Sequence, residues 1–317
     1  MKLALAFPGQ GSQYIGMCNK LMMDFSVVNQ VFEEANQALD SDLRSLIKNG
    51  KLEELTLSEH AQPAVVTASY ALYRVFEEQT GLTPFCAVGH SLGEISALIA
   101  AGAMSFSDGV RFARKRGEIM HRAMQEKKGR AGIVVDLEEA ALMSMINTIC
   151  LDDYVAITGY NSPNQFIVAG HQTALQRLDK EVATEGGELI PFRMMPMKAD
   201  APYHSQLMTY LQPDIKQTLQ KIDFNHTKFD VWSTVTGRII EPTDHIADIL
   251  GDQLVQPVYW NQALSKINAQ EVELIIDMGP QQITRNLVRE NKTLPTCLAF
   301  DDEGDRELIF DHIGKGA

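Results

Sequence analysis

A serine at the centre of a glycine-flanked pentapeptide could act as a nucleophile. Gly89-His90-Ser91-Leu92-Gly93 follows an apolar run at 84–88 that predicts a strand, and it precedes a run at 94–101 that predicts a buried helix. Ser91 would therefore lie in a sharp strand-to-helix turn, in which the glycines relieve crowding and the hydroxyl is held out for attack on a carbonyl carbon. Free N–H groups at the helix start would stabilise the resulting oxyanion. The pentapeptide alone is also compatible with an ordinary turn.

A second glycine-rich turn follows the first predicted strand, Leu3-Ala4-Leu5-Ala6. It reads Phe7-Pro8-Gly9-Gln10-Gly11-Ser12-Gln13, and its backbone N–H groups are suited to bind an oxygen. A dinucleotide fingerprint would need glycine at position 14, where Tyr14 stands, and Gly16 is out of register. Phosphate binding is therefore not predicted here.

Further short motifs accompany these two turns along almost the whole chain. They are Gln62-Pro63-Ala64, Arg116-Gly117, Asn161-Ser162-Pro163, Ala169-Gly170-His171, Ala201-Pro202-Tyr203-His204-Ser205, the stretch 253–260 and Gly279-Pro280. With them, the chain resembles the malonyl-CoA:acyl-carrier-protein transacylase family, which includes fatty-acid enzymes and discrete acyltransferases that serve polyketide synthases. The resemblance implies an α/β fold: a large α/β-hydrolase-like domain with a central, mostly parallel sheet, plus an inserted ferredoxin-like subdomain.

The pattern of predicted elements divides the chain in the same way. Residues 1–127 and 198–317 form the predicted large domain, with later strands at 230–233 and 273–277 and a helix at 258–268. Residues 128–197 form the predicted ferredoxin-like subdomain, with strands at 131–135, 165–169 and 188–192 and helices near 137–149 and 172–185. We expect the active site in the cleft between the two units.

The resemblance assigns the catalytic pair, because eight histidines compete and sequence chemistry alone does not rank them. It makes Ser91 the nucleophile and His204 the base, with main-chain carbonyls of 253–258 orienting the imidazole in place of a carboxylate. It also places the oxyanion hole at the backbone N–H groups of Gln10 and Leu92. No metal and no cofactor is implied, and the acceptor carries phosphopantetheine.

The resemblance also implies a substrate-binding set. Arg116 would pair with the free malonyl carboxylate, a role suited to a planar bidentate donor. Tyr203 resembles the bulky residue of malonyl-selective members, whereas methylmalonyl-selective ones tend to have serine. Asn161 and Gln253 match positions near the acyl pocket and the catalytic histidine, or they could satisfy buried backbone groups. One departure is the stretch 129–135, where the family commonly has a Gly-Ala-Met-Ala-Ala-like run.

Three alternatives differ in chemistry. Ser91, Asp277 and His312 occur in the chain order of a hydrolase catalytic triad, but 311–317 resembles a frayed terminus, which would support a catalytic histidine poorly. His90, next to the serine, is expected to pack and not to act as the base, because neighbouring side chains diverge at such a turn. A related acyl hydrolase that unloads carrier proteins would be expected to lack Arg116. A noncatalytic carrier-protein-binding relative would have no need of the serine and histidine.

The charge and cysteine content of the chain indicate which partners and which compartment to expect. The chain of 317 residues has 28 Lys and Arg against 41 Asp and Glu, and the net charge of −13 opposes binding to nucleic acid or to an anionic membrane. Its four cysteines lack paired spacing, so we expect no disulfide frame or zinc site and a cytoplasmic location. The protein is also expected to be a monomer. Only 111–130 is strongly basic. Ser107 or Asp108 is expected to cap this helix, and Gly117 predicts close packing.

Overall fold

The computed structural model describes residues 1–195, 199–242 and 244–315, and these form a mixed α/β fold. The strands are β1 Leu3–Phe7, β2 Cys86–Gly89, β3 Arg130–Val135, β4 Val155–Ser162, β5 Gln165–Gly170, β6 Glu188–Pro191, β7 Asp230–Trp232, β8 Leu274–Asp277 and β9 Cys297–Ala299. The helices are α1 Asn19–Asp24, α2 Ser26–Leu39, α3 Leu43–Asn49, α4 Leu52–Leu55, α5 Ser58–Thr80, α6 Gly93–Ala100, α7 Phe106–Glu126, α8 Glu139–Ile149, α9 Gln172–Thr184, α10 Gln212–Leu219, α11 Ile246–Asp252, α12 Trp260–Asn268, α13 Ile283–Glu290 and α14 Glu303–Lys315.

The central sheet is parallel and covered on both faces. Its strand order is β7-β2-β1-β8-β9, and every neighbouring pair runs parallel. Successive residues of β1 point to opposite faces: Leu3, Leu5 and Phe7 join the core with α2, α5 and α7, whereas Ala4 and Ala6 pack toward α12. Burial on both faces explains why the strand is apolar throughout.

A second, four-stranded sheet is built from the middle of the chain. Its order is β4-β5-β3-β6, all neighbours are antiparallel, and α8 and α9 follow β3 and β5 in a β-α-β-β-α-β sequence. This is the predicted ferredoxin-like arrangement. The sequence prediction missed β4, whose pairing with β5 is irregular between Ile157 and Gly159 and between Tyr160 and Ser162. These irregularities interrupt the alternation of apolar and polar residues by which a strand is recognised in a sequence.

The two faces of the small sheet have different neighbours. Val134, Phe166 and Val168 pack against the apolar sides of α8 and α9. On the opposite face, Ala131 and Ile167 lie with Phe192 and line a cavity that also contains Ser91. The small sheet therefore supplies one wall of the candidate site.

Three local predictions differ from the structure. The cap of α7 is Ser105, whose side chain accepts a hydrogen bond from the Asp108 N–H (3.0 Å), so the prediction of Ser107 or Asp108 is wrong. The interpretation of 311–317 as a frayed end is wrong up to Lys315, because α14 continues to that residue. The predicted domain boundary at Lys198 lies outside the described residues.

Three further features concern Gly117, the cysteines and the helix lengths. A Cβ on Gly117 would overlap the backbone of Ser58 and Glu59, so α7 packs closely on α5 at this glycine, as predicted. All four cysteines carry free thiols. In the described ranges, no helix is both long enough and apolar enough to cross a membrane.

Candidate active site

Ser91 lies in the turn between β2 and α6 with strained backbone geometry. Its φ is 52°, in the left-handed region that residues with a Cβ rarely adopt. The flanking glycines make the turn possible: a Cβ on Gly89 would overlap the backbone of Gly93, and a Cβ on Gly93 would overlap the backbone of Phe7 at the end of β1. The predicted sharp strand-to-helix turn is present.

His204 meets Ser91 from a separate part of the chain. The Ser91 hydroxyl donates to His204 Nε2 (2.8 Å), and His204 Nδ1 donates to the main-chain oxygen of Gln253 (2.7 Å). Because a carbonyl oxygen only accepts, this second bond places the ring proton on Nδ1 and leaves Nε2 free to take the serine proton. The φ of His204 is 61°, so both members of the pair have left-handed backbones. The hydrogen-bond partner of His204 Nδ1 is thus a main-chain carbonyl from the stretch 253–258.

Arg116 is buried next to the nucleophile. The side chain projects from α7 with 3% exposure, and its guanidinium donates to Ser91 Oγ (3.0 Å), Gln62 Oε1 (2.9 Å) and Gln253 Oε1 (3.0 Å). Burial lowers the pKa of Arg116 to about 10, so the group is still a cation at neutral pH. All three of these acceptors are uncharged, so the cation has no hydrogen-bonded carboxylate among the described residues, and it lies within reach of any group attached to Ser91.

Two residues near the nucleophile have backbone N–H groups that could bind an oxyanion: Gln10 lines the same cavity as Ser91, and Leu92 follows Ser91 in the chain. In the described part of the chain, neither the Gln10 nor the Leu92 N–H donates a hydrogen bond. The Gln10 side chain points elsewhere, donating to Ser58 Oγ (3.0 Å) and accepting from Gln62 Nε2 (3.1 Å). These contacts fix the loop while leaving its backbone donor available, which is what an oxyanion hole requires.

Ser91 and His204 line a small, mainly apolar cavity of about 80 Å³. The residues that line it are Gly9, Gln10, His90, Ser91, Arg116, Met120, Ala131, Ile167, Phe192, Ala199, Ala201, Tyr203 and His204. Strands β3 and β5 of the small sheet contribute to this wall, and so do the loops that follow β1 and β2 of the central sheet. Within the described ranges, no group of three or more His, Cys, Asp or Glu side chains is placed to hold a metal ion.

The remaining predicted residues surround this cavity at different distances. Tyr203 lines it, and its hydroxyl donates to the main-chain oxygen of Met120 (2.9 Å). Asn161 does not line the cavity but contacts His90, which does: Asn161 Oδ1 is 2.9 Å from His90 Nε2. His90 packs near the Trp260 ring and does not contact the serine hydroxyl, in agreement with its predicted structural role. His312 is exposed on α14.

Sequence reasoning assigned no role to two residues that organise the site. Gln62 connects Gln10 with Arg116, and its only sequence signal was membership of a short family motif. Glu94 is fully buried behind the nucleophile, although it had the position of an ordinary acidic residue in the first turn of a helix. A charged residue heading an otherwise apolar run was the one available signal.

The acid side of the pH profile should reflect the environment of His204. Burial and then the positive charge of Arg116 lower the pKa of His204 to about 3, so the imidazole stays neutral and able to accept a proton well below pH 6.5. We expect the rate of Ser91 acylation to stay level between about pH 7 and 5. Stopped-flow acylation with circular dichroism at each pH checks this. Half-maximal acylation near pH 6.5 in folded protein would contradict it.

The parallel sheet, the strained turn and the serine–histidine pair are typical of enzymes that carry out acyl chemistry on a serine. Comparison with known proteins is more specific. The acyl transferase domain family matches residues 5–296. The malonyl CoA-acyl carrier protein transacylases of Bacillus subtilis strain 168 and Escherichia coli K12 are 36% and 35% identical to this chain. The alignments cover 95% of this chain and 94% and 96% of the relatives.

Solved structures agree with the sequence comparison. FabD from Acinetobacter baumannii superposes with a TM-score of 0.92 at 29% identity, covering 100% of this chain and 99% of that one. A malonyl-transacylase solved in complex with a type II polyketide synthase acyl-carrier protein also has a TM-score of 0.92, at 30% identity, covering 98% and 100%. The chain therefore belongs to the acyl transferase domain family and is an acyltransferase.

Proposed function

We propose that this protein transfers a malonyl group from malonyl-CoA to the phosphopantetheine thiol of an acyl carrier protein through a malonyl-serine ester. The observation that carries the proposal is the position of Arg116, whose guanidinium donates to the nucleophilic oxygen itself. In a malonyl-serine ester, the free carboxylate is separated from the ester carbonyl carbon by two carbon–carbon bonds. A guanidinium that reaches the serine oxygen is therefore positioned to bind that carboxylate.

The first half-reaction loads the enzyme. His204 Nε2 takes the proton of Ser91 as Oγ attacks the thioester carbonyl, and the N–H groups of Gln10 and Leu92 bind the oxygen that becomes negative. The carbon–sulfur bond then breaks, and the leaving coenzyme A sulfur receives the proton from His204. A malonyl-serine ester remains, with its carboxylate against Arg116.

The second half-reaction transfers the malonyl group from Ser91 to the carrier protein. The carrier thiol gives its proton to His204 and attacks the ester carbonyl, and the serine oxygen leaves with that proton. One thioester has replaced another, so the overall reaction is nearly neutral in free energy. No step requires a metal or a redox cofactor.

The test is a comparison of transfer with hydrolysis. Protein incubated with malonyl-CoA and a phosphopantetheinylated carrier protein should place malonyl on the carrier, and free malonate should form slowly when the carrier is omitted. Rapid release of malonate without a carrier would instead identify an acyl hydrolase. A noncatalytic relative would consume no malonyl-CoA under either condition.

The basic segment of α7 and the residues after it are proposed to help recruit the acidic carrier protein or the coenzyme A phosphates. The cations are Arg114, Lys115, Arg122, Lys127 and Lys128. Several are paired: Lys115 with Glu118 (3.0 Å), Arg122 with Asp214, and Lys128 with Glu126 (3.5 Å). The pairs reduce the positive charge of this surface, so a moderate electrostatic contribution is expected.

Charge reversal at this surface should act on encounter with the carrier. We expect Lys127→Glu with Lys128→Glu to raise the carrier-protein KM about 3- to 10-fold at low salt and to leave kcat nearly unchanged, because exposed charges mainly affect association. Steady-state kinetics at two salt concentrations measures the effect. The matched control reverses two exposed lysines of the α3–α4 region, Lys48 and Lys51. A KM insensitive to both reversal and salt would place carrier docking elsewhere.

A further inference from the structure

Glu94 is a buried carboxylate to which the proposed mechanism gives no role. It is three residues after Ser91, in the first turn of α6, and its exposure is 0%. One oxygen, Oε2, accepts from the Thr234 N–H (3.3 Å) and hydroxyl (3.0 Å), while Oε1 is buried with no hydrogen-bond partner among the described residues. Burying a carboxylate in this way is unfavourable for folding, and burial raises the pKa of Glu94.

Gln253 connects Glu94 to the three central residues of the site. Its side-chain nitrogen lies 3.4 Å from Glu94 Oε2 and donates to the main-chain oxygen of Ser91 (3.0 Å). Its side-chain oxygen accepts from Arg116, and its main-chain oxygen accepts from His204 Nδ1. One residue thus contacts the strained nucleophile, the base and the carboxylate-binding cation.

The amide of Gln253 can satisfy these contacts in one orientation only. The Ser91 carbonyl and an ionised Glu94 only accept hydrogen bonds, whereas the Arg116 guanidinium only donates them. A flipped amide would place its oxygen against two acceptors and its NH₂ group against a cation. The Glu94 carboxylate adds negative charge behind this amide and attracts the buried Arg116 cation. The Thr234 contacts fix Glu94 in turn.

We infer that Glu94 is a positioning residue for the acyl-transfer reaction, and that it acts through Gln253 to hold Ser91, His204 and Arg116 in their reactive arrangement. The inference rests on the proposed function for its natural substrate. It concerns the rate at which Ser91 is acylated, and a reactive ester also measures that rate. The test therefore uses p-nitrophenyl acetate beside malonyl-CoA.

The decisive experiment is a double-mutant cycle between Glu94→Gln and Gln253→Ala. Glu94→Gln keeps the shape of the side chain and removes its charge. We expect it to lower the rate constant for acylation of Ser91, read from the burst of p-nitrophenol or of coenzyme A, about tenfold with both acyl donors. The donor concentration that gives half of the maximal burst rate should change little, and a tenfold loss is typical of coupled neighbours in one network. In the Gln253→Ala background, the same substitution should have no further effect, because the connecting amide is gone. A merely structural role would give losses that multiply.

Two further variants keep the test decisive. Asp277→Asn removes another fully buried carboxylate, outside this network, and its effect should multiply with that of Gln253→Ala. If Glu94→Gln does not fold, Thr234→Val removes a hydroxyl that contacts both Glu94 Oε2 (3.0 Å) and the main-chain oxygen of Gly89 (3.1 Å), and its loss should be smaller in the Gln253→Ala background than in the wild type. An unchanged acylation rate constant in Glu94→Gln, or losses that multiply in the double variant, would overturn the inference. Failure of malonyl transfer alone would overturn the proposed function and leave the p-nitrophenyl acetate cycle to decide on Glu94.

Discussion

Replacing Ser91 with alanine should leave the protein unable to form a covalent malonyl adduct. The Ser91 hydroxyl is hydrogen-bonded to the free nitrogen of His204, and the Gln10 and Leu92 N–H groups donate no hydrogen bond in the described part of the chain. Without the nucleophile, the ping-pong route is closed, and transfer to a carrier protein should fall by roughly a thousandfold or more. Intact mass spectrometry after mixing with malonyl-CoA measures the adduct, and a transfer assay measures the rate.

The matched control is Ser96→Ala, which removes a buried hydroxyl from α6, the helix that follows Ser91. It should load normally. The exposed thiol of Cys150 is another possible acceptor in the described part of the chain. If Ser91→Ala still becomes malonylated, or if the wild-type adduct maps to a cysteine, the nucleophile assignment is wrong.

Replacing Arg116 with alanine should invert donor preference. Of the two acyl groups, only malonyl has a carboxylate that the guanidinium would bind, so malonyl transfer should weaken while acetyl transfer stays intact or improves relative to it. Losing one partner of a desolvated charge pair typically costs about 2–5 kcal/mol, which corresponds to a fall in malonyl kcat/KM of roughly tens- to thousands-fold. Arg116→Lys should also lose activity, because an ammonium does not reproduce the bidentate geometry. The measurement is kcat/KM for malonyl-CoA and acetyl-CoA with each variant.

Arg114→Ala is the matched control, because it removes a half-buried arginine two residues earlier on α7. Its ratio of malonyl to acetyl transfer should equal that of the wild type. The guanidinium of Arg116 also contacts Gln62 and Gln253, so a general effect on the site would lower both donors alike. Equal losses for the two donors would therefore remove the malonyl-specific interpretation of Arg116.

The sequence predicted those parts of the site that depend on local backbone geometry. The strand, glycine, serine, glycine and helix around Ser91 form one continuous segment, and the steric demand of its turn is visible in the residue types. His204 was different. Its assignment depended on family resemblance, because no local property separates it from seven other histidines. The left-handed backbone of His204 and its bond to Gln253 arise from contacts between distant segments.

The residues that sequence reasoning missed are those whose role depends on tertiary contacts. Glu94 could equally have been an exposed acidic residue at a helix start, and only folding places Thr234 and Gln253 against it. Strand β4 was missed because its register shifts hide the alternating pattern. Ser105 was missed as the cap of α7 because Ser107 and Asp108 are equally suitable residue types nearby.

The central claim is a malonyl ester on Ser91 that is competent for transfer, and isolation of that intermediate tests it most directly. Protein loaded with malonyl-CoA is separated from free coenzyme A, and one portion is mapped by peptide mass spectrometry. The other portion is mixed with a phosphopantetheinylated carrier protein. We predict malonyl on the peptide that contains Ser91, and its transfer to the carrier thiol at a rate no slower than steady-state turnover. Malonyl on any other residue, or an ester that the carrier does not discharge, would contradict the account.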